Sequence, residues 1–152
     1  MDQLPKRLPI WPGSPRADQP RAHVTQRHGP DCAIAAAATI TGVSYEEAAD
    51  AAFTLRVDGL GGMRPDKIVS LLQRLTDVPW RLERCRWPRR RLRDTTFPDQ
   101  LVLATIDGPW GGRHAIVARG SWAYDGSLGK PVLCRDHPRG AWRVFSLIVR
   151  GL

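Results

Sequence analysis

The feature that most constrains the fold is a change of pattern near Val78, where helical periodicity gives way to short strand-like segments. Helices and strands that are separated along a chain, instead of alternating, are typical of an α+β domain. With 152 residues, the chain is long enough to bury one core of its own. We therefore expect an α+β domain over 21–152, with N-terminal helices packed on a C-terminal antiparallel β-sheet, after an extended proline-rich arm over 1–20.

Three helices are predicted before the change of pattern. The first begins at Cys32, with Asp31 as a candidate N-cap, and its alanine-rich run extends to Ile40. Residues 44–47 match a capping box that begins a second helix, and Pro65 begins a third. The apolar residues of the third helix recur at helical spacing: Ile68, Leu71, Leu72 and Leu75. Each helix therefore has a defined start in the sequence.

Six short strands, separated by Gly, Pro and Asp turns, are predicted after the change of pattern. They are Trp80–Arg84, Leu101–Ile106, His114–Ala118, Trp122–Asp125, Val132–Cys134 and Trp142–Val149. The third and fourth strands form a predicted hairpin with Arg119 and Gly120 as its loop, which places His114 directly opposite Asp125. A three-residue loop would shift this register.

A cysteine at the start of an apolar helix is a candidate nucleophile. A thiol attacks as its thiolate, and the unpaired N–H groups at a helix N-terminus favour that anion. Cys32 occupies this position, His114 is the best-placed base, and Asp125 can orient its imidazole. Gln26, six residues before the cysteine, can form an oxyanion hole with the Cys32 backbone N–H if the Gly-Pro turn folds it back.

The order of these groups resembles that of the papain-like cysteine peptidases, and most closely the compact bacterial and phage proteins similar to the C39 (double-glycine leader) peptidases. The stretches that carry the resemblance are VTQRHGPDCAIAAAATITGVSYEEA, DGLGGMRPDKIVSLLQRL and GGRHAIVARGSWAYDGSLGKP, within residues 22–133. The resemblance implies a papain-like fold and cleavage of amide bonds at a cleft between the helices and the sheet. Peptidase, isopeptidase, deamidase and transamidase activities all stay open, as does an effector or phage setting.

Other residues near these motifs are candidates for binding or for substitute roles. Trp110 and Gly112, just before the candidate base, are expected to contact substrate. Asp107 and Asp136 are alternatives to Asp125, though less well placed. Cys134 and His137 have a spacing seen in metal sites, but too few further ligands accompany them, so we expect neither a metal nor another cofactor.

The positive charge suggests an acidic partner. Lys and Arg number 23 and the formal net charge is +8, although a high-GC genome would also enrich arginine. The densest cluster lies over 86–93, with Arg86, Arg89, Arg90, Arg91 and Arg93, and is either a solvated loop or a binding face. A papain-fold binding module that engages an acidic protein or nucleic acid is therefore the alternative to an enzyme. Nucleic acid is the weaker choice, because no zinc-finger spacing or aromatic RNA-binding motif is present.

The remaining composition indicates the compartment. Three widely spaced cysteines argue against a disulfide framework. No apolar run reaches the length of a membrane span, and the proline-rich N-terminus does not match a Sec signal peptide. We therefore expect a cytoplasmic protein, with export by a dedicated secretion system left open.

Overall fold

A computed structural model describes residues 23–25, 27, 31–55, 63–86, 88–109 and 111–151. Within these ranges the chain forms three α-helices followed by a six-stranded antiparallel sheet, which confirms the α+β prediction with helices packed on the sheet. The predicted arm over 1–20 lies outside the described residues, as do Gln26 and Trp110.

The helices are α1 (Cys32–Thr41), α2 (Tyr45–Thr54) and α3 (Pro65–Thr76). The capping box before α2 is confirmed, because the Ser44 hydroxyl accepts a hydrogen bond from the Glu47 backbone N–H at 3.0 Å. α1 ends at Gly42, whose φ of 81° lies in the left-handed region that favours glycine. Asp31 occupies the N-cap position of α1, but its side chain makes no capping hydrogen bond, contrary to its predicted role.

The strands are β1 (Trp80–Arg84), β2 (Val102–Asp107), β3 (Arg113–Arg119), β4 (Trp122–Tyr124), β5 (Val132–Leu133) and β6 (Arg143–Arg150). They pair in the order β1-β6-β2-β3-β4-β5. Each predicted strand is present, with ends that move by at most one residue, and Asp125 and Cys134 fall outside the strands. Residues 102–106 of β2 are buried without alternation, because both faces of the sheet are covered there.

The alanine-rich sequence of α1 lets it pack closely on the sheet. Residues of α1 that join the core under the helices recur along one side of it: Cys32, Ala33, Ala36, Ala37 and Ile40. α1 contacts β3 and β2 as well as both other helices. Small side chains on that side hold the first turn of α1 against β3, and this contact positions the candidate site.

The predicted register of the β3–β4 hairpin is wrong by two residues. Arg119 pairs with Trp122, so the loop consists of Gly120 and Ser121 instead of Arg119 and Gly120. Continuing this register places Asp125 opposite Ile116, not His114. Because side chains alternate between faces with a period of two, an error of two residues leaves His114 and Asp125 on the same face as diagonal neighbours.

Candidate active site

The candidate site lies where β4 ends beside β3. Pairing between the two strands stops at Val117 and Tyr124, so residues 113–116 of β3 have no partner in β4. The first turn of α1 occupies this edge, and the Ala115 backbone N–H donates a hydrogen bond to Cys32 Sγ at 3.4 Å. Since hydrogen bonds to an ionised acceptor are stronger, this N–H stabilises negative charge on the sulfur. Cys32 is 8% exposed.

His114 stands between Cys32 and Asp125. Its Nε2 lies 2.7 Å from Asp125 Oδ1, and its imidazole is near enough to the Cys32 thiol for the two to interact electrostatically. Because Nε2 is engaged by the carboxylate, Nδ1 is the ring nitrogen that remains for the sulfur. The structure thus brings together three of the four predicted catalytic side chains.

The site favours a charged imidazole. Burial of His114 lowers its pKa, but its hydrogen bond to Asp125 and its interaction with Cys32 outweigh burial and raise the pKa from 6.5 to about 9. Burial alone would raise the pKa of Asp125, yet hydrogen bonds from His114 and His137 hold it well below its ordinary value. The two shifts in opposite directions describe one imidazolium–carboxylate pair.

Asp125 is fully buried and is held by donors on both oxygens. Oδ1 accepts from the Ser127 backbone N–H at 2.8 Å and from the Ser127 hydroxyl at 2.7 Å, in addition to His114. Oδ2 accepts from His137 Nε2 at 2.8 Å, and Arg139 Nη1 lies 3.6 Å away. The turn after β4 therefore fixes the carboxylate plane, which in turn fixes the orientation of the His114 ring.

His137 is the site residue that the sequence did not reveal. It follows the 3₁₀ turn Cys134–Asp136, and its side chain is 0% exposed. The Arg139 backbone N–H donates to His137 Nδ1 at 2.8 Å, so the ring proton must be on Nε2, where it is donated to Asp125. Sequence spacing suggested His137 only as half of a metal pair with Cys134; its contact with Asp125 depends on how the chain returns after β5.

The segment before α1 is anchored through Asp31. Asp31 Oδ2 accepts from the Arg27 backbone N–H at 2.8 Å and from the Tyr45 hydroxyl at 2.6 Å. Burial, and then the bond to Asp31, raise the pKa of Tyr45 to about 12. The Arg27 guanidinium lies 4.3 Å from the centre of the Tyr45 ring. The chain just after Gln26 is therefore tied back to the start of α1, although Gln26 itself is outside the described residues.

A cleft of about 400 Å³ opens beside Cys32 and His114. Its described lining residues are Cys32, Ala33, Met63, Arg64, Thr105, Gly111, Gly112, Arg113, His114 and Ala115. Gly112, which was predicted to contact substrate, therefore lines this cleft. The loop that carries Gly112 packs on Trp142, since a Cβ at Gly108 would come within 2.7 Å of the Trp142 ring. Gly111 adopts a φ of 77°, which also favours glycine.

The arginines of the segment over 86–93 contact different parts of the protein. The Arg89 guanidinium packs on the Phe145 ring, and the backbone of Arg91 bridges to Arg143 of β6. Arg86 and Arg90 line a second groove of about 300 Å³, away from the candidate site. Arg93 packs against Gly140. The arginines of the predicted basic face therefore have separate surroundings, and among them only Arg89 packs on the Phe145 ring.

The other candidate residues lie apart from Cys32, His114 and Asp125, which together form the candidate triad. Asp107, an alternative to Asp125, forms an ion pair with Arg113 at 2.9 Å, and Asp136 is exposed. Cys85 and Cys134 are free thiols, and burial raises the pKa of both, to about 12 for Cys134. Of the three cysteines, Cys32 is the one whose thiol interacts with a histidine imidazole within the described residues.

Comparison of the chain with models of known protein families and with curated proteins finds no match. Within the described ranges, no cluster of three or more His, Cys, Asp or Glu residues has an arrangement that could hold a metal ion. None of the described helices has the length and apolar character needed to cross a membrane.

Proposed function

We propose that the protein is a cysteine-dependent hydrolase with a papain-like arrangement, which cleaves an amide bond and acts as a peptidase or isopeptidase. The observation that carries the proposal is the position of His114, which is hydrogen-bonded to Asp125 at 2.7 Å and lines the same cleft as Cys32, whose sulfur accepts the N–H of the next residue, Ala115. A histidine between a thiol and a buried carboxylate is the arrangement that activates a cysteine nucleophile.

The surroundings support the same conclusion. The Cys32 sulfur lies at the start of a helix, accepts the Ala115 N–H and borders an open cleft, whereas Cys134 is a buried free thiol whose pKa is raised by burial. A cysteine that served only the core would need neither the cleft nor the imidazole. A metal-assisted route is not part of the proposal, because the thiol supplies the nucleophile.

In the proposed mechanism, the Cys32 thiolate attacks the substrate carbonyl carbon, and the carbonyl oxygen becomes an oxyanion. The Cys32 backbone N–H, together with Gln26 if the preceding turn folds it back, stabilises this oxyanion. His114 gives its Nδ1 proton to the leaving amine as the C–N bond breaks, which leaves a thioester. Water then attacks the thioester while His114 accepts its proton; the C–S bond breaks, the acid product leaves, and the Cys32 thiolate–imidazolium pair is regenerated.

The first test is the rate at which iodoacetamide alkylates each cysteine as a function of pH, followed by mass spectrometry. We expect Cys32 to react at pH 6–7 at least about tenfold faster than Cys85 or Cys134, since only a thiolate is nucleophilic. His114→Ala should remove most of this advantage. His23→Ala is the matched control, because His23 bonds to the Leu128 carbonyl and lies outside the triad.

Activity is then measured with a quenched-fluorescence peptide library and with an electrophilic peptide that traps thiolates. Cys32→Ser should abolish both cleavage and trapping, and Cys85→Ser should change neither. The alternative, a papain-fold binding module, predicts that Cys32 reacts like an ordinary buried thiol in wild type and in His114→Ala alike. That result would refute the hydrolase proposal.

A further inference from the structure

A β-bulge places an aromatic ring at the end of the sheet beside the candidate site. Thr105 pairs with Ser146 and Ile106 pairs with Val144, so Phe145 is an extra residue of β6 without a partner in β2. Such bulges redirect a side chain and are frequent next to functional sites. The Phe145 ring is consequently available to side chains that converge from other elements.

Three guanidinium groups surround this ring. Their distances to the ring centre are 4.2 Å for Arg113, 4.5 Å for Arg89 and 5.5 Å for Arg84. Each is within the range of a cation–π contact, which holds a guanidinium in place without neutralising it. We call Phe145 with Arg84, Arg89 and Arg113 the arginine cluster. Its cations come from the end of β1, the following segment and the start of β3.

The arginine cluster carries more positive charge than its neighbours neutralise. Arg113 is paired with Asp107 at 2.9 Å, but no carboxylate in the described ranges forms an ion pair with Arg84 or Arg89. The Nε of Arg89 is buried and has no hydrogen-bond acceptor among the described residues. Like charges held together without counter-ions repel each other, so the cluster favours the arrival of an anion.

The cluster is continuous with the cleft through Arg113. This residue both contacts Phe145 and lines the cleft that contains Cys32 and His114. Arg64, whose exposed side chain also pairs with Asp66 at 3.3 Å, is a second cationic residue of the described lining, which includes neither Asp nor Glu. A substrate that reaches the sulfur therefore meets positive charge at the cleft wall and then at the arginine cluster.

We propose that the arginine cluster binds acidic side chains of a polypeptide substrate, so that the hydrolase prefers Asp or Glu on one side of the scissile bond. This inference rests on the proposed function. Guanidinium groups match carboxylates geometrically, and three of them suit one or two carboxylates. A nucleic acid strand would need a longer track of cations and free aromatic faces for its bases, whereas guanidinium groups already pack on the Phe145 ring.

The test measures binding without cleavage. Fluorescence anisotropy of full-length Cys32→Ser protein is recorded with two labelled peptides of equal length, one containing four consecutive Glu residues and the other four Gln residues. We expect the Glu peptide to bind at least about tenfold more tightly at low salt, and Arg89→Gln to remove most of that preference. Arg84→Gln provides a second variant in case Arg89→Gln does not fold, as judged by its thermal unfolding.

Arg81→Gln is the matched control, because it removes the same charge from an exposed residue of β1 that pairs with Glu83. It should change the Glu-peptide affinity by less than about twofold, since exposed pairs are weak and screened. Equal loss in Arg89→Gln and Arg81→Gln would mean that only net charge matters, and would overturn the proposal. Tighter binding of a single-stranded oligonucleotide that displaces the Glu peptide would also overturn it.

The two proposals fail differently. If Cys32 is reactive and cleavage occurs, but Glu and Gln peptides bind alike, the hydrolase stands and the arginine cluster is not a substrate site. If Cys32 is inert while Glu-peptide binding depends on Arg89, the hydrolase fails and with it the role of the cluster in substrate choice. Reactive Cys32 together with binding that depends on Arg89 supports both.

Discussion

His137 Nε2 donates a hydrogen bond to Asp125 Oδ2 at 2.8 Å, while His114 Nε2 bonds the other oxygen, Oδ1, at 2.7 Å. The carboxylate is therefore shared between two buried histidines with different environments. His114 lines the cleft together with Cys32, whereas His137 Nδ1 accepts a backbone N–H. His137 is a positioning residue in this arrangement, because it acts on His114 only through Asp125.

Replacing His137 should weaken the site without abolishing it. We expect His137→Ala to lower kcat/KM by about tenfold, against about 10²–10⁴-fold for His114→Ala, since His137 orients the carboxylate but does not transfer a proton to substrate. His137→Gln, which keeps an N–H donor, should recover part of the loss. A merely structural role would change stability alone, so the deciding readout is the pH profile of Cys32 alkylation, which should change in His137→Ala.

His114 should keep its proton well above neutral pH. Its pKa is raised from 6.5 to about 9, so the stability that its pair with Asp125 contributes is fully present below pH 6.5 and is lost as the pH rises through about 9. An NMR titration of the imidazole carbon and nitrogen shifts should give a midpoint near 9, and Cys32→Ser and Asp125→Asn should each lower it. A wild-type midpoint at 6.5 would contradict the geometry.

Asp125 should make the free energy of unfolding depend on pH in the acid range. Its folded pKa is depressed, so its contribution to stability is present above the ordinary value of 3.8 and is lost as the pH falls below it. We expect Asp125→Asn to lower the free energy of unfolding at pH 7 by about 2–3 kcal/mol, because hydrogen bonds to a charged group are lost. Urea unfolding from pH 7 to pH 2.5 should show the difference from wild type shrinking in acid. Asp50→Asn, an exposed position on α2, should unfold like wild type throughout.

Gly108 should tolerate no side chain. A Cβ there would lie 2.7 Å from the Trp142 ring, so Gly108→Ala should cost about 1–3 kcal/mol through overpacking and should shift the loop that carries Gly112. Gly129→Ala is the control, because a Cβ at Gly129 meets nothing within 4 Å. Thermal unfolding and the Cys32 alkylation rate measure the two effects. Equal melting temperatures for the two variants would show that the ring can move aside.

Local patterns in the sequence predicted the elements well. The capping box over 44–47 begins α2, Pro65 begins α3, and Ile68, Leu71 and Leu72 face the core as their spacing indicated. These features depend on residues three or four apart, which are neighbours on a helix whatever the rest of the chain does. The same local reasoning was wrong about Asp31, because its carboxylate is taken by Tyr45 from the next helix.

The hairpin shows where local reasoning begins to fail. Its loop was predicted one residue too early, which moved the register by two, yet His114 and Asp125 remain neighbours because the face did not change. No rule of hairpin geometry indicated that β4 would end at Tyr124 and leave an open edge of β3 for Cys32. That edge depends on the turn after β4, in which Ser127 binds Asp125.

The amino-acid sequence by itself determined the order of helices and strands, the cysteine at the start of a helix, and the histidine and carboxylate that could serve it. Only the tertiary structure decided that His137 returns behind Asp125 and that a bulge brings Phe145 under three arginines. Periodicity and capping depend on residues that are close in the sequence, whereas the contacts of His137 with Asp125 and of the arginines with Phe145 join separate elements. Their formation depends on the packing of the whole sheet, in which burial favours every buried donor finding an acceptor.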